Sequence, residues 1–317
     1  GEINTYDDGG GGGGGRIAIA YTTKTYTGST TAYGGSGLQA GGAGTVWTKA
    51  AAATNGDLLL DNNSLAGTTT QVAAATWTVN DLTLKNATTL VIPSGATVNV
   101  AGTLANFTAG VTLTNNGTLS VTGAVPAFPA GVFTFTNNGS LSLAATTSLT
   151  NVTFTQNGTL TTLANLTLGS GTSMEVQNTD ATTVLSLTTL TIQSGGTLKS
   201  KANNSPKFLN LSLSSNLTID TGGAINLNAL GFLGGVTDTN GSGSGASTGT
   251  DNPCAQKGGP GASYGGLGGA GSYRTVGVTY GSLTAPTDLG SGGTGGDGSC
   301  GSGGTGGAGG GAIKLSV

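Results

Sequence analysis

The residues that carry out most enzymatic chemistry are few in this chain. It contains no histidine, which removes the usual general base and the imidazole ligand of most transition-metal sites. It has 13 acidic residues, and glycoside hydrolysis would need two of them paired on one face. The acids of the central repeats, Asp81, Glu175, Asp180 and Asp220, do not occupy equivalent positions in neighbouring repeats. The sequence therefore predicts a protein that is not an enzyme.

One segment has the spacing of part of a calcium loop. In DTNGSG, Asp238 and Asn240 place oxygen-bearing side chains at alternate positions before a glycine. The twelfth position of such a loop, Gly249, has no carboxylate, although Asp251 lies close by in sequence. One interpretation is a Ca²⁺ site formed by Asp238, Asn240 and Asp251, and the other is an Asx-rich turn. No other cofactor or metal is predicted.

The two cysteines, Cys254 and Cys300, both lie in the glycine-rich last third of the chain. A disulfide between them would contribute about 4 kcal/mol in the chain-entropy model. Segments that bury little apolar surface benefit from such a cross-link, whereas two free thiols are the alternative. The disulfide would imply an oxidising, extracellular location.

The elements around these residues are short strands arranged in repeats. Seven nine-residue windows carry apolar residues at positions 1, 3 and 9, with a mean spacing of about 21 residues. Positions 1 and 3 point to one side of a strand, an Asn-Gly or Ser-Gly pair turns the chain, and position 9 faces the same interior. The pattern predicts an all-β protein, a parallel β-helix (β-solenoid) with three faces per rung. The windows are 90–98, 111–119, 133–141, 152–160, 166–174, 190–198 and 217–225.

Glycine dominates beyond Phe232. Between 292 and 310 a glycine falls at every third position, which matches the three-residue turn of the polyproline II helix. The segment 290–311 contains no proline, which argues against collagen. Polyglycine II-type helices are predicted, with a flexible linker as the alternative. The expected organisation is a glycine run with N-terminal strands (1–76), solenoid rungs (77–232), a polyglycine II-like region (233–311) and a terminal strand (312–317).

Both ends of the chain have the same design, a glycine run followed by a short alternating strand. Unpaired strand edges template further strands, so these ends are expected to pair with another copy, as in a unit of a head-to-tail array. The expected self-assembly residues are Arg16, Ile17, Ile19, Tyr21, Ala312, Ile313, Leu315 and Val317.

The order of motifs, a glycine run, RIAIAY, GAGTVWTK, GDLLLDNN and then LxLxxGxL rungs, resembles the tandem repeats of large, secreted, glycine-rich bacterial cell-surface proteins. The rungs alone look like the β-helical shafts of filamentous-haemagglutinin-type adhesins. This resemblance implies adhesive or filament-forming work at the cell surface. It supplies no catalytic residues.

The partners follow from charge and pattern. A net charge of −3 and dispersed basic residues argue against nucleic acid, and no apolar run is long enough to span a membrane. The predicted function is a structural subunit or repeat unit of an extracellular filament that binds itself. One alternative is an adhesin that binds cell-surface glycans. The other is an ice-binding solenoid, suggested by outward threonines at Thr112, Thr114, Thr134, Thr136, Thr153 and Thr155.

Overall fold

The computed structural model describes residues 9–73, 75–105, 108, 110–125, 127–128, 133–177, 179–180, 182–201, 208–247, 258–271, 275–298 and 303–317. Within these residues the protein is all-β, with no helix, and its parallel coils stack into a β-solenoid of about six turns. The predicted fold class is confirmed.

Turn residues interrupt the chain every few positions, so the strands of the described residues are two to six residues long. In chain order they are β1 (Arg16–Tyr21), β2 (Thr45–Ala50), β3 (Asp57–Asp61), β4 (Thr70–Gln71), β5 (Thr76–Val79), β6 (Leu82–Lys85), β7 (Thr89–Ile92), β8 (Thr97–Val100), β9 (Leu104–Ala105), β10 (Val111–Asn115), β11 (Thr118–Val121), β12 (Phe133–Asn137), β13 (Ser140–Ser142), β14 (Thr146–Leu149), β15 (Val152–Gln156), β16 (Thr159–Thr161), β17 (Asn165–Leu168), β18 (Ser173–Val176), β19 (Leu185–Leu187), β20 (Thr189–Ile192), β21 (Thr197–Ser200), β22 (Leu209–Leu213), β23 (Leu217–Ile219), β24 (Ala224–Ile225) and β25 (Ile313–Ser316).

The chain divides into two compact units. Unit 1 comprises Gly1–Met174, Thr188–Thr197 and Leu217–Ala224. Unit 2 comprises Glu175–Leu187, Leu198–Asn216 and Ile225–Val317.

In unit 1, successive coils add one strand to each face. The first face stacks β5, β8, β11, β13 and β16, the second stacks β3, β6 and β9, and the third stacks β4, β7, β10, β12 and β15. Sequential triplets such as β5, β6 and β7 therefore form one coil, which confirms the three-faced rung. The stacking includes β3 and β4, so it begins before residue 77. A further sheet has the order β14-β17-β20-β23.

The interior of unit 1 is a set of apolar columns. On the third face Leu90, Leu113, Phe135 and Phe154 lie in register on neighbouring strands and are almost completely buried. The Phe135 and Phe154 rings stack with centroids 4.9 Å apart. Each fully buried side chain of this size contributes about 1.5–3 kcal/mol. The seventh window is an exception, because Ile219 is 44% exposed on β23, the last strand of its sheet.

The corners use glycine for two different reasons. Ser-Gly and Thr-Gly corners place their glycines, such as Gly95 and Gly195, at positive φ. The glycines of the Asn-Gly corners in the solenoid do not have positive φ. There the glycines stack backbone on backbone, and a Cβ on Gly139 or Gly158 would overlap the carbonyl oxygen of the glycine in the coil below. Their amides are bonded as well, Gly139 N to Asn115 O at 3.0 Å and Gly158 N to Asn137 O at 2.9 Å.

Amide side chains form a ladder inside these corners. Asn115, Asn137 and Gln156 are buried, and each Nδ2 donates to the next side-chain oxygen, at 2.7 Å and 3.0 Å. The adjacent Asn138 is exposed and belongs to a second ladder outside. Such chains of hydrogen bonds satisfy most polar groups that would otherwise be costly to bury, although Asn115 Oδ1 at the start of the ladder has no partner within the described residues.

Three glycine-rich segments of unit 1, 9–15, 32–38 and 39–44, form what we call the first glycine bundle. Hydrogen bonds recur every third residue, as in polyglycine II, and each segment donates to a different neighbour, so the three close a ring. The bonds are Gly11 N to Gln39 O, Gly14 N to Gly42 O, Gly35 N to Gly12 O, Leu38 N to Gly9 O, Gly41 N to Gly35 O and Gly44 N to Ala32 O, at 2.7–3.1 Å.

Asn62 fastens this bundle to the solenoid. Its buried Oδ1 accepts from Gly34 N at 2.9 Å, and its Nδ2 donates to Gly41 O at 3.0 Å and to Leu65 O at 2.8 Å. One side chain thus bonds backbone groups of two bundle segments.

Unit 2 contains the parallel sheet β19-β22-β25. Its small core comprises Phe208, Leu289 and Ala312, with Phe232 packed against them.

A second glycine bundle, formed by segments 231–238, 290–296 and 303–310, lies in unit 2. Its bonds also recur every third residue and close a ring, which confirms the polyglycine II-type segments. The packed glycines of the last segment are Gly303, Gly306 and Gly309 rather than Gly304 and Gly307, which face open space. The bonds are Phe232 N to Gly290 O, Gly235 N to Gly293 O, Asp238 N to Gly296 O, Gly290 N to Gly310 O, Gly293 N to Gly307 O, Gly296 N to Gly304 O, Gly306 N to Gly235 O and Gly309 N to Phe232 O, at 2.8–3.0 Å.

Candidate functional site

β1 is an edge strand of unit 1. It pairs in parallel with β2 along its whole length, and within the described residues its other edge is unpaired. Gly15 O accepts from Thr45 N at 3.0 Å and Tyr21 O accepts from Ala51 N at 2.7 Å. In a parallel ladder alternate residues bond to opposite sides, so the backbone groups of Ala18 and Ala20 point to the free edge. The predicted residues Ile17, Ile19 and Tyr21 are half-buried, whereas Arg16 is exposed.

β25 is an edge strand of unit 2, paired in parallel with β22. Leu209 N donates to Ala312 O at 3.0 Å, so by the same alternation the backbone groups of Ile313 and Leu315 point to the free edge. Ala312 itself is buried in the core, where it anchors the strand. Leu315 and Val317 are 39% and 67% exposed. Of the residues predicted for self-assembly at this end, Ala312 therefore lies in the core, whereas Leu315 and Val317 are exposed.

Each edge strand directly follows a glycine bundle. Segment 9–15 leads into β1, and segment 303–310 leads by way of Gly311 and Ala312 into β25. The likeness of the two ends of the sequence extends to hydrogen bonding in part. Both bundles are rings of three hydrogen-bonded segments, but segment 9–15 is parallel to one of its neighbours, whereas segment 303–310 is antiparallel to both.

The calcium and disulfide predictions fall partly outside the described residues. Asp251, Cys254 and Cys300 belong to the segments that are not described. Asp238 has a positive φ of 62°, and its Oδ1 accepts from Gly298 N at 2.7 Å. Among the described residues no three or more His, Cys, Asp or Glu side chains cluster as a metal site would require. The site formed by Asp238, Asn240 and Asp251 stays a prediction.

The predicted outward threonines do form columns. Thr112, Thr134 and Thr153 lie in register on β10, β12 and β15, as do Thr114, Thr136 and Thr155. The first column continues to Thr89 on β7. A second hydroxyl column, which the sequence analysis missed, runs along the first face through Thr97, Thr118, Ser140 and Thr159.

A groove beside β5 also escaped the sequence analysis. Its cavity has a volume of about 250 Å³, and both tryptophans of the chain line it. We call it the β5 groove and define it by Arg16, Thr45, Trp47, Leu58, Trp77, Thr78 and Val79. Only the presence of two tryptophans in so aromatic-poor a chain could have drawn attention to it.

In unit 2, Tyr264 and Tyr280 border a cavity of about 540 Å³, with ring centroids 5.1 Å apart. The Tyr280 hydroxyl donates to Leu289 O and contacts Ser291 Oγ at 2.7 Å. The Tyr264 hydroxyl oxygen is buried and has no hydrogen-bond partner within the described residues. Burial and the nearby Asp288 raise the pKa of Tyr264. Burial also raises the pKa of Tyr280, and the hydrogen bond with Ser291, which lowers this pKa, offsets only part of the increase.

Comparison with protein-family models, with curated proteins and with solved structures finds no match. The resemblance to secreted bacterial surface proteins therefore holds only at the level of a β-helical repeat. No helix within the described part of the chain is long and apolar enough to cross a membrane. The absence of enzymatic activity and the extracellular location stay predictions.

Proposed function

We propose that this protein is a structural subunit or repeat unit of an extracellular filament whose copies join head to tail through exposed strand edges. The observation that carries the proposal is that β1 and β25 are both edge strands, each following a glycine bundle.

Physical chemistry favours self-association at such edges. An unpaired strand presents a row of N–H and C=O groups that a further strand can satisfy. A contact between two different surfaces of identical copies generates an open filament, unless the rotation between neighbouring copies closes the assembly into a ring. Exposed Arg16 and Lys314 supply one charge on each edge strand, which natural sheets use to discourage unspecific pairing.

Leu315→Pro tests the proposal without deleting the core residue Ala312. Proline removes an amide that points to the free edge and leaves the ladder with β22 in place. The expected result is a folded monomer where the parent chain forms filaments under the electron microscope. Leu315→Val keeps the amide and should still form filaments. Fibres formed equally by the proline variant would refute assembly through β25.

The threonine columns favour ice binding as a second candidate function. In-register hydroxyls on neighbouring strands, about 4.8 Å apart, form a regular array on one face. Thr134→Tyr would disrupt the centre of this array, and thermal hysteresis should then disappear. Thr218→Tyr, on the exposed strand β23 outside the array, is the matched control and should leave any hysteresis unchanged. A parent chain without hysteresis would eliminate this candidate.

A further inference from the structure

One strand position of the solenoid is unfilled within the described residues. In the coil that precedes β5, β6 and β7, strand β3 stacks on β6 and β4 stacks on β7. No described strand stacks on β5, the last strand of its sheet. The chain before β3 turns away instead, because β2 pairs with β3 in antiparallel orientation. Stacking resumes at the corner, where Asn80 N donates to Gly56 O at 2.8 Å.

The free backbone groups of β5 point into this position. Ala75 O accepts from Thr97 N at 3.2 Å, and Val79 O accepts from Ala101 N at 3.0 Å, so the odd-numbered residues bond to β8. The groups of Thr76 and Thr78 therefore face the opposite side. That side is the β5 groove, which Thr78 lines.

Four of the seven residues that line the groove are apolar or aromatic, and Arg16, Thr45 and Thr78 are polar. Leu58 and Val79 are buried, whereas Trp47 and Trp77 are only half-buried. Trp77 lies in register with the buried Val98, so it belongs to an interior column of the solenoid and forms the last layer of that column. Half-exposed indoles at the end of a core column would lose further water-accessible area if another layer covered them.

We infer that β25 of a second copy of this chain fills the position beside β5 as a parallel strand. The inference rests on the proposed head-to-tail assembly and names its acceptor as β5 rather than β1. In a parallel pair, residues whose backbone groups face the partner lie opposite residues whose groups face away. Ile313 and Leu315, with free groups, would therefore lie opposite Trp77 and Val79.

The same register matches the side chains. β25 alternates the apolar Ile313, Leu315 and Val317 with Lys314 and Ser316. Residues opposite each other in a parallel pair point to the same face of the sheet. The exposed Leu315 would thus enter the interior beside Val79, while Lys314 and Ser316 would point to solvent. A single register between β25 and β5 therefore pairs the free backbone groups of both strands and also buries the apolar side chains of β25.

Two proline variants distinguish the acceptors. Thr78→Pro removes a free amide from β5, and Ala18→Pro removes one from β1. We expect Thr78→Pro to reduce the filament mass at least roughly tenfold, with Ala18→Pro assembling like the parent chain. Thr78→Val, which keeps the amide, is the matched control and should assemble. The reverse result, loss with Ala18→Pro alone, would overturn this inference and leave the proposed function intact, whereas a parent chain that never assembles would refute the proposed function itself.

Tryptophan emission tests the groove without any change near β5. Both tryptophans line it, so a strand that covers them should shift the emission of the parent chain to shorter wavelength as the concentration rises from about 1 to 100 µM. Leu315→Asp, which would bury a charge against Trp77 and Val79, should abolish the shift. Filaments that form with no change in emission would overturn docking in the groove.

Discussion

Adjacent glycines in the first glycine bundle have opposite environments. A Cβ on Gly14 would overlap the carbonyl oxygen of Ala32 and the amide nitrogen of Gly44, whereas a Cβ on Gly13 would meet open space. Gly14→Ala is therefore expected to destabilise the protein by about 1–3 kcal/mol, the usual cost of overpacking. Gly13→Ala should be neutral or slightly stabilising. Chemical denaturation of both variants measures the difference, and equal losses would contradict the close packing of this bundle.

A second pair of neighbours tests the interior amide ladder. Asn137 Nδ2 donates to Gln156 Oε1 and to Thr159 O, and a carboxylate at residue 137 would be a buried acceptor facing two acceptors. We expect Asn137→Asp to cost about 3 kcal/mol at neutral pH. Asn138→Asp, in the exposed ladder, should change stability by less than about 0.5 kcal/mol. Similar unfolding midpoints for both variants would show that the inner ladder is unimportant.

The tyrosine pair of unit 2 predicts a response to alkali. Burial raises the pKa of Tyr264 above its usual value of 10.0, so the folded state favours the neutral phenol. This contribution is complete below pH 10 and is lost as the pH rises further, because the unfolded state ionises first. Tyr264→Phe removes both the ionisation and a buried hydroxyl that has no partner in the part of the chain that the structure describes. The variant should unfold at a higher pH than the parent chain when followed by circular dichroism, and an unchanged midpoint would argue against the burial.

At the scale of elements, the glycine bundles predict a periodic pattern of amide exchange. Gly11 N and Gly14 N donate to backbone oxygens, whereas Gly12 N and Gly13 N have no hydrogen-bond acceptor within the described residues. Exchange measured by NMR should be slow at the first pair and fast at the second, because a backbone hydrogen bond must open before exchange occurs. Uniformly fast exchange across 9–15 would indicate a flexible linker instead.

The solenoid was predictable because its signal is local. The apolar positions of each nine-residue window predict which residues face inward, and Leu90, Leu113 and Leu119 are completely buried as expected. The second glycine bundle was predictable from its three-residue period. Gly292 and Gly295 are packed in the predicted register, whereas the packed face of segment 303–310 is shifted by one residue. The first bundle was not predictable, because the run from Gly9 to Gly15 carries no period at all.

The elements that the sequence did not reveal depend on contacts between distant residues. Strand alternation places Asn115 on the same face as Val111 and Leu113, and NNG, NNG and QNG recur at three successive corners. The inner amide ladder therefore had a signal in the sequence, which an asparagine before a turn glycine obscured because such residues usually occupy exposed turns. The β5 groove exists because β2 pairs with β3 in antiparallel orientation and leaves β5 uncovered. Strand alternation alone gives the same pattern for parallel and antiparallel neighbours, so this reversal could not be read from the residues.

For the molecule as a whole, stability should depend little on salt. Only 7% of the residues are charged, and the described residues contain one salt bridge, Lys85 Nζ to Asp61 Oδ2 at 3.2 Å. This pair is partly buried, with side-chain exposures of 35% for Lys85 and 10% for Asp61, so it contributes on the order of 1 kcal/mol and salt screens it only weakly. The thermal midpoint is expected to move by less than about 2 °C between 0.05 and 0.5 M sodium chloride. A larger loss at high salt would reveal electrostatic stabilisation that the described residues do not contain.

The bonded amides of the stacked Asn-Gly corners bear on how long the molecule can survive. Asn-Gly is prone to spontaneous deamidation, because the glycine backbone nitrogen attacks the side-chain amide carbon of the asparagine, ammonia leaves and a succinimide forms. In this fold the nitrogens of Gly139 and Gly158 are held by backbone oxygens of the preceding coil. Folding is therefore expected to slow the deamidation of a sequence that would degrade quickly as a free peptide.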